Sequence, residues 1–297
     1  MEIHQLRYFV AVAQEGSFSR AAEKVRVAQP SLSQQIQKLE AELGQPLFDR
    51  LARRVNLTEA GHGLLPFAQR VLNELNSARR FVADRGKAPA GPVKVGVLPT
   101  IAPFITRHLV RRTREQLPEV ALSVIENVTD EMVQLADRGE LDFAIISTCR
   151  PGVGLHIERW AEEPLLAALP EGHPLAKRSD VAWRELRDES VLLLHESHCL
   201  SRQIQKWCAQ HRIHQKRIGA LQLSTLLEMV AASAGISLVP SMSAMGHRPG
   251  VVFIPFRGVV PRREINLLRN ASHYQSKAAL AVAEIARDQL RRAMASI

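Results

Sequence analysis

The sequence predicts an all-α N-terminal module followed by a larger α/β domain. Three observations favour this division of the 297 residues. Apolar residues recur at helical spacing up to about residue 85, and a Gly- and Pro-rich stretch at 86–92 then breaks helix. From Val93 onward, short β-rich runs alternate with amphipathic helices, which is typical of α/β folds. Hydrophobic residues make up 46% and charged residues 23%, an ordinary globular balance for two or three domains.

Three short helices are predicted at the N-terminus. Apolar spacing predicts the first over 4–14, and Ser17 is a suitable N-cap for the second over 18–25. After a short turn, Pro30 favours the first position of a third helix that ends near Leu43. A tight turn before a helix with an uncharged polar face fits a helix-turn-helix, whose second helix contacts base edges in the major groove. The expected DNA-contacting residues here are Ser17, Gln29, Pro30, Ser31, Ser33 and Gln34.

Residues 46–58 are predicted to form a two-stranded wing after the third helix. Arg50, Arg53 and Arg54 lie in its turn, where they are available for phosphates or the minor groove. The alternative is an ordinary small helical domain with a solvated basic turn.

A long helix is predicted over 59–85, with Thr58 as its cap. Its apolar residues recur at steps of four and three, which is the pattern of a coiled-coil seam. We expect this helix to self-associate, and the alternative is packing onto its own domain. The seam residues are Leu64, Ala68, Val71, Leu75, Ala78 and Val82. Residues 86–92 then form a hinge.

The α/β part is predicted to contain mostly parallel sheets, with ligands bound where strands lead into helices. Thr100 and Thr129 stand at two such turns, and the alternative role for each is a plain helix cap. Strands are predicted at 93–98, 121–128, 143–147, 165–169, 191–195, 236–239, 251–254 and 265–268. Helices are predicted at 101–116, 130–138, 201–211, 224–234 and 274–294.

Charge and cysteine content suggest a compartment and a partner. The net charge of +9 favours a polyanionic partner. The chain has no apolar run long enough to cross a membrane and no secretory signal, so we expect a cytoplasmic protein with no membrane partner. Three cysteines do not make a disulfide scaffold, and Cys149 is given no role. On a helix, Cys199 and Cys208 would lie roughly 13 Å apart along the axis, so a disulfide between them would require unwinding.

The N-terminal sequence closely resembles the LysR-type transcriptional regulators. The resemblance is carried by 18–25, 28–44, 46–50 and 57–61. It implies a dimer or tetramer bound to double-stranded promoter DNA, with RNA polymerase as a further partner. It also implies a regulatory domain that looks like a two-lobed periplasmic binding protein. The implied organisation is a winged helix-turn-helix at 1–58, a linker helix at 59–85, a hinge at 86–92, lobe I at 93–162 and 269–297, and lobe II at 163–268.

Within that family, the segment around His198-Cys199-Leu200 is similar to the OxyR peroxide sensors. Supporting stretches occur at 96–100, 226–232, 235–240, 251–255 and 261–263, whereas Ser197, Ser201, Arg202 and Leu227 depart from the pattern. The resemblance implies that hydrogen peroxide oxidises Cys199, the peroxidatic residue, and that Cys208 resolves it as a reversible disulfide. The implied peroxide pocket contains Thr100, Thr129, His198 and Arg263. A helix N-terminus and cationic neighbours would favour the reactive thiolate of Cys199.

The resemblance further implies a cellular thiol reductant that resets the switch. No cofactor, no metal and no enzymatic turnover are expected. One alternative is a LysR-type regulator that binds a small organic acid in the cleft between the lobes. A second is a thiol peroxidase or a solute-binding protein, against which the DNA-binding module and the lack of a leader argue.

Overall fold

The computed structural model describes residues 1–49, 55–84, 88–147, 154–217, 219–220, 222–246 and 248–295. They fall into two compact units, Met1–Arg85 and Gly86–Ile297. Four residues singled out in the sequence, Arg50, Arg53, Arg54 and Cys149, lie outside the described residues.

The first unit is helical, with one small pair of strands. Its core is built from residues such as Phe9, Leu32 and Ile36, which are fully buried. The third helix begins at Gln29, one residue earlier than expected, so Pro30 is its second residue. The elements are α1 (Ile3–Glu15), α2 (Phe18–Val25), α3 (Gln29–Leu43), β1 (Phe48–Asp49), β2 (Asn56–Leu57) and α4 (Glu59–Ala83). Strands β1 and β2 pair antiparallel on either side of residues 50–54.

Helix α4 begins at a side-chain cap. The Thr58 hydroxyl accepts a hydrogen bond from the Gly61 N–H at 3.1 Å and donates one to the Pro46 carbonyl at 2.6 Å. Along the predicted seam, Ala68 is buried while Val71 and Val82 are exposed. This helix therefore leaves apolar surface uncovered within its own unit.

The second unit alternates strands and helices. Its strands are β3 (Gly91–Val97), β4 (Val120–Glu126), β5 (Phe143–Ile146), β6 (Leu155–Pro170), β7 (Ser190–Leu193), β8 (His214–Arg217), β9 (Ser237–Pro240), β10 (Val251–Ile254) and β11 (Arg262–Asn270). Its helices are α5 (Ala102–Gln116), α6 (Thr129–Asp137), α7 (Cys199–His211), α8 (Leu223–Ala231) and α9 (Lys277–Ala295).

The main sheet is mixed, so the prediction of mostly parallel sheets is wrong. Its order is β10-β6-β11-β5-β3-β4, with β9 also on β6. Strand β3 is parallel to β4 and β5, but β6 is antiparallel to β9, β10 and β11. Strand β6 is long enough to pair with β11 up to Pro164 and with β9 from Leu165 onward.

Two hydrophobic cores form on the two parts of β6. The first-lobe core lies under β3, β5, α5 and α9 and contains Val95, Ile105 and Phe143. The second-lobe core contains Leu165, Leu192 and other residues between 165 and 256. Strand β11 pairs with both β5 and β6, and its residues Ile265, Leu267 and Leu268 belong to the first-lobe core.

Candidate functional site

Helix α7 begins at Cys199, two residues earlier than the sequence predicted. His198 is the N-cap residue, so Ser201 does not cap the helix as expected. The Ser201 hydroxyl instead donates a hydrogen bond to the Leu194 carbonyl at 2.9 Å. Cys199 thus occupies the first helical position, where unpaired backbone N–H groups and the helix dipole favour negative charge.

The two cysteines of α7 pack into different cores. Cys199 is 6% exposed and belongs to the first-lobe core, whereas Cys208 is fully buried in the second-lobe core. Both thiols are free. Nine residues of helix separate their Cα atoms by roughly 13 Å along the axis. Since a disulfide needs about 4.4–6.8 Å, the folded helix excludes a bond between them.

Burial raises the pKa of the Cys208 thiol to about 11. The cause is desolvation, which penalises the thiolate but not the neutral thiol. Cys208 is therefore protonated at neutral pH and is a poor nucleophile while α7 is intact.

The first turns of α7 contact elements of the first lobe. An Arg202 guanidinium nitrogen lies 3.8 Å from an Asp130 carboxylate oxygen on α6. The Gln203 amide lies 3.5 Å from the Ser147 hydroxyl, just after β5. These contacts, with the packing of Cys199, place the N-terminal end of α7 against the first lobe.

Aromatic rings hold the other end of α7 in the second lobe. The Trp183 ring stacks on His211 with centroids 4.3 Å apart and on Trp207 at 5.7 Å. Phe256 packs against Trp183 at 4.5 Å. Burial, with the nearby Arg187 charge, lowers the pKa of His211, which favours the neutral ring.

Thr100 and Arg263, both predicted pocket residues, are bonded to each other. The guanidinium donates to the Thr100 hydroxyl at 2.8 Å and to its carbonyl at 3.1 Å. Arg263 also pairs with Glu163, at 2.8 Å from Nε and 2.7 Å from Nη2. The second Glu163 oxygen accepts from the Met242 N–H at 2.7 Å and lies 3.3 Å from the Ser241 hydroxyl. The structure thus balances the Arg263 charge with a carboxylate that sequence reasoning missed.

Neither predicted threonine caps a helix. The N-cap residues of α5 and α6 are Ile101 and Val128, and Thr129 is the first residue of α6. The hydroxyls of Thr129 and Ser243 are buried and find no hydrogen-bond partner among the described residues. The Thr129 hydroxyl is therefore an unpaired buried polar group among the described residues, which a folded protein rarely leaves without a role.

A cavity of about 520 Å³ lies beside these residues, within the second unit. His198, Ser243 and Arg248 form part of its polar lining. Its apolar lining consists of Pro99, Pro103, Phe104, Val128, Leu223 and Leu227. The predicted residues Thr100, Thr129 and Cys199 each directly follow a lining residue in the chain, namely Pro99, Val128 and His198.

The predicted DNA-contacting residues lie on the first unit. Gln29, Pro30, Ser31 and Gln34 are exposed at the start of α3, and Ser33 is half-buried. Ser17 caps α2, accepting from the Arg20 N–H at 3.4 Å. The start of α3 therefore presents an uncharged polar surface.

Metal and membrane sites find no support in the described ranges. Those residues contain no group of three or more His, Cys, Asp or Glu side chains suited to a metal ion. Over the same residues, every helix is too short or too polar to span a membrane.

Two family models match the chain. The LysR substrate binding domain matches residues 86–291, and the bacterial regulatory helix-turn-helix protein of the lysR family matches residues 3–62.

Individual proteins are similar over nearly the whole chain. The DNA-binding transcriptional dual regulator OxyR of Escherichia coli K12 is 34% identical over 271 residues, which cover 90% of this chain and 89% of that protein. Full-length OxyR of Pseudomonas aeruginosa, with a cysteine changed to aspartate, is 32% identical with a TM-score of 0.81, covering 98% of this chain and 95% of that one. A cysteine-to-serine mutant of Corynebacterium glutamicum OxyR with hydrogen peroxide bound is 30% identical with a TM-score of 0.67, covering 99% and 94%.

Proposed function

The chain belongs to the LysR family of bacterial regulatory proteins, and we propose that it is a transcriptional regulator that senses hydrogen peroxide through Cys199. One observation carries the proposal: α7 holds Cys199 in one core and Cys208 in another. A bond between the two sulfurs must therefore dismantle the helix. The similarity to OxyR proteins, one of them with hydrogen peroxide bound, supports the choice of oxidant.

The first step is oxidation of Cys199. Its thiolate sulfur attacks one peroxide oxygen, so an S–O bond forms as the O–O bond breaks and the departing hydroxide takes a proton to become water. The product is a sulfenic acid. Cys208 does not compete for this step, because burial raises the pKa of its thiol to about 11.

The second step is formation of the disulfide. Cys208 must leave the second-lobe core before its sulfur can attack the Cys199 sulfenic acid and release water. The N-terminal turn of α7 must then leave its first-lobe contacts with Asp130 and Ser147. We propose that this rearrangement changes promoter binding, and that a cellular thiol reductant restores the reduced form.

Four side chains would bind the peroxide. Arg263 orients the Thr100 hydroxyl, because it donates to that oxygen at 2.8 Å. Thr129 supplies a buried hydroxyl without a partner among the described residues. His198 lines the cavity and caps the helix that begins at Cys199. The site requires no cofactor or metal, and the protein is a regulator rather than an enzyme.

The N-terminal unit would bind double-stranded promoter DNA in the cytoplasm. In this proposal α3 enters the major groove, and Arg50, Arg53 and Arg54 contact the backbone or the minor groove. Helix α4, with exposed Val71 and Val82, would pair with a second copy in a dimer or tetramer. RNA polymerase would be the further partner at the promoter.

Thiol counting on the full-length chain tests the peroxide mechanism. After equimolar hydrogen peroxide, wild type should lose two thiols, whereas Cys208→Ser should lose one and hold a trappable sulfenic acid. Cys149→Ser is the matched control and should still lose two. If the thiols of all three proteins persist, a small organic acid bound in the 520 Å³ cavity becomes the better candidate for the signal.

A further inference from the structure

We infer that this sensor accepts organic hydroperoxides as well as hydrogen peroxide, with the organic group held in the cavity that is lined by His198, the residue before Cys199. The inference rests on the proposed function, since it extends the oxidants that reach the same sulfur. It concerns the substrate class of the site rather than the switch itself.

The cavity is much larger than hydrogen peroxide requires. Hydrogen peroxide occupies roughly twice the ~30 Å³ share of a water molecule. The cavity measures about 520 Å³, inside the range of about 300–1,000 Å³ that is usual for small organic ligands. Most of its volume is therefore left over for another part of the oxidant.

Part of the lining suits an apolar group. Six of the thirteen lining residues are apolar, among them Phe104, Leu223 and Leu227. Burying an alkyl or aryl group against such side chains stabilises the complex by about 25 cal/mol per Å² of apolar surface. A hydroperoxide with a hydrocarbon body gains this contact, whereas hydrogen peroxide does not.

Three helices start at the cavity. Their N-terminal N–H groups suit the peroxide end of such a molecule. Helices α6, α7 and α8 begin directly after the lining residues Val128, His198 and Gln222. The side chains of these three N-cap residues make no capping hydrogen bond to their helices. Backbone N–H groups at helix starts stabilise a developing negative charge, such as that of a leaving alkoxide.

The reaction balances without a further reagent. The Cys199 thiolate attacks the terminal hydroperoxide oxygen, so an S–O bond forms and the O–O bond breaks. The sulfur loses two electrons and becomes a sulfenic acid, and the peroxide is reduced to an alkoxide that takes a proton to give the alcohol. Cys208 then condenses with the sulfenic acid as before, releasing water.

The test uses the full-length chain with Cys149 and Cys208 changed to serine, so that Cys199 is the only thiol. The rate at which the Cys199 thiol is lost is measured with hydrogen peroxide and with cumene hydroperoxide, both in native buffer and in urea. Folding should accelerate both reactions by about tenfold or more. Acceleration with hydrogen peroxide alone would overturn the inference but leave the proposed function standing. No acceleration with either oxidant would overturn both.

A matched pair of tryptophans locates the organic group. Ser224 and Thr225 are adjacent exposed residues of α8, but only Ser224 lines the cavity. In the same background, Ser224→Trp should lower the ratio of the cumene hydroperoxide rate to the hydrogen peroxide rate by about tenfold. Thr225→Trp should leave the ratio unchanged. Because the ratio is taken within one sample, partial unfolding of a variant does not imitate the effect. Equal ratios in the two variants would place the organic group elsewhere and overturn the inference.

Discussion

The carboxylate of Glu163 and the guanidinium of Arg263 form an ion pair in which both side chains are fully buried. They come from neighbouring antiparallel strands, β6 and β11, where the two residues lie opposite each other. Each partner also bonds to another segment of the chain. Arg263 donates to Thr100, and Glu163 accepts from the Met242 N–H. This ion pair therefore links Thr100, which we propose binds the peroxide, to the segment that follows β9.

Breaking this pair from one side should destabilise the protein strongly. Glu163→Gln leaves a buried guanidinium without its counter-charge, and Arg263→Met leaves a buried carboxylate, so each should cost about 3–5 kcal/mol of unfolding free energy. The double variant leaves neither charge alone and should cost less than the sum. Urea unfolding of the four proteins measures the difference, and strictly additive costs would show that the pair is not coupled.

A glycine pair in α4 tests how this helix packs against the segment that contains β1 and β2. A Cβ at Gly61 would clash with the Leu47 carbonyl oxygen and lie 2.9 Å from the Leu57 side chain. Gly61→Ala should therefore destabilise the first unit by about 1–3 kcal/mol. Gly63, two residues further along the helix, has no heavy atom within 4 Å of such a Cβ, so Gly63→Ala should stabilise by up to about 1 kcal/mol. Hydrogen exchange of α1 and α4 amides reports both, and equal protection in the two variants would refute the steric argument.

Local signals were sufficient for much of the fold. The sequence predicts α2 over 18–25, and the structure has the same bounds, because Ser17 caps its start. It predicts only 165–169 of β6, since the earlier part carries charged residues such as Glu158 and Arg159. That part is a strand because β11 pairs with it from about a hundred positions away, and periodicity within a short window does not report such pairing.

The residues of the candidate site, like the fold, are only partly predictable from local sequence. The sequence identifies Thr100 and Arg263, which the structure bonds together, but not Glu163, which pairs with Arg263. Beside Glu162, Glu163 looks like one of two solvated acids, and only the partner strand shows that it is buried. The residue type of Ser201 predicts a helix cap, yet tertiary packing directs its hydroxyl to the Leu194 carbonyl.

Mutations should distinguish two kinds of DNA contact, those to phosphates and those to bases. Arg50→Ala or Arg53→Ala should weaken binding to every sequence and lower the slope of log K against log salt by about one unit, as expected for loss of a phosphate contact. Gln34→Ala, at an exposed position near the start of α3, should instead change sequence preference by about 1–3 kcal/mol at one base pair. Binding titrations at several salt concentrations on matched and scrambled sites measure both. If Gln34→Ala weakens all sites equally, the placement of α3 in the groove is wrong.

The buried Cys208 thiol should make stability depend on pH above neutrality. Its pKa is about 11 in the folded chain against an ordinary value of 9.0, so between these values the unfolded chain binds fewer protons than the folded one. Stability is then fully present below about pH 9 and falls toward pH 11, by at most about 1.4 kcal/mol per pH unit. Urea unfolding under reducing conditions should show this fall in wild type relative to Cys208→Ala. Parallel pH curves for the two proteins would mean that burial does not raise the pKa of Cys208, and the distance between the two cysteines along α7 would then be the only barrier to the disulfide.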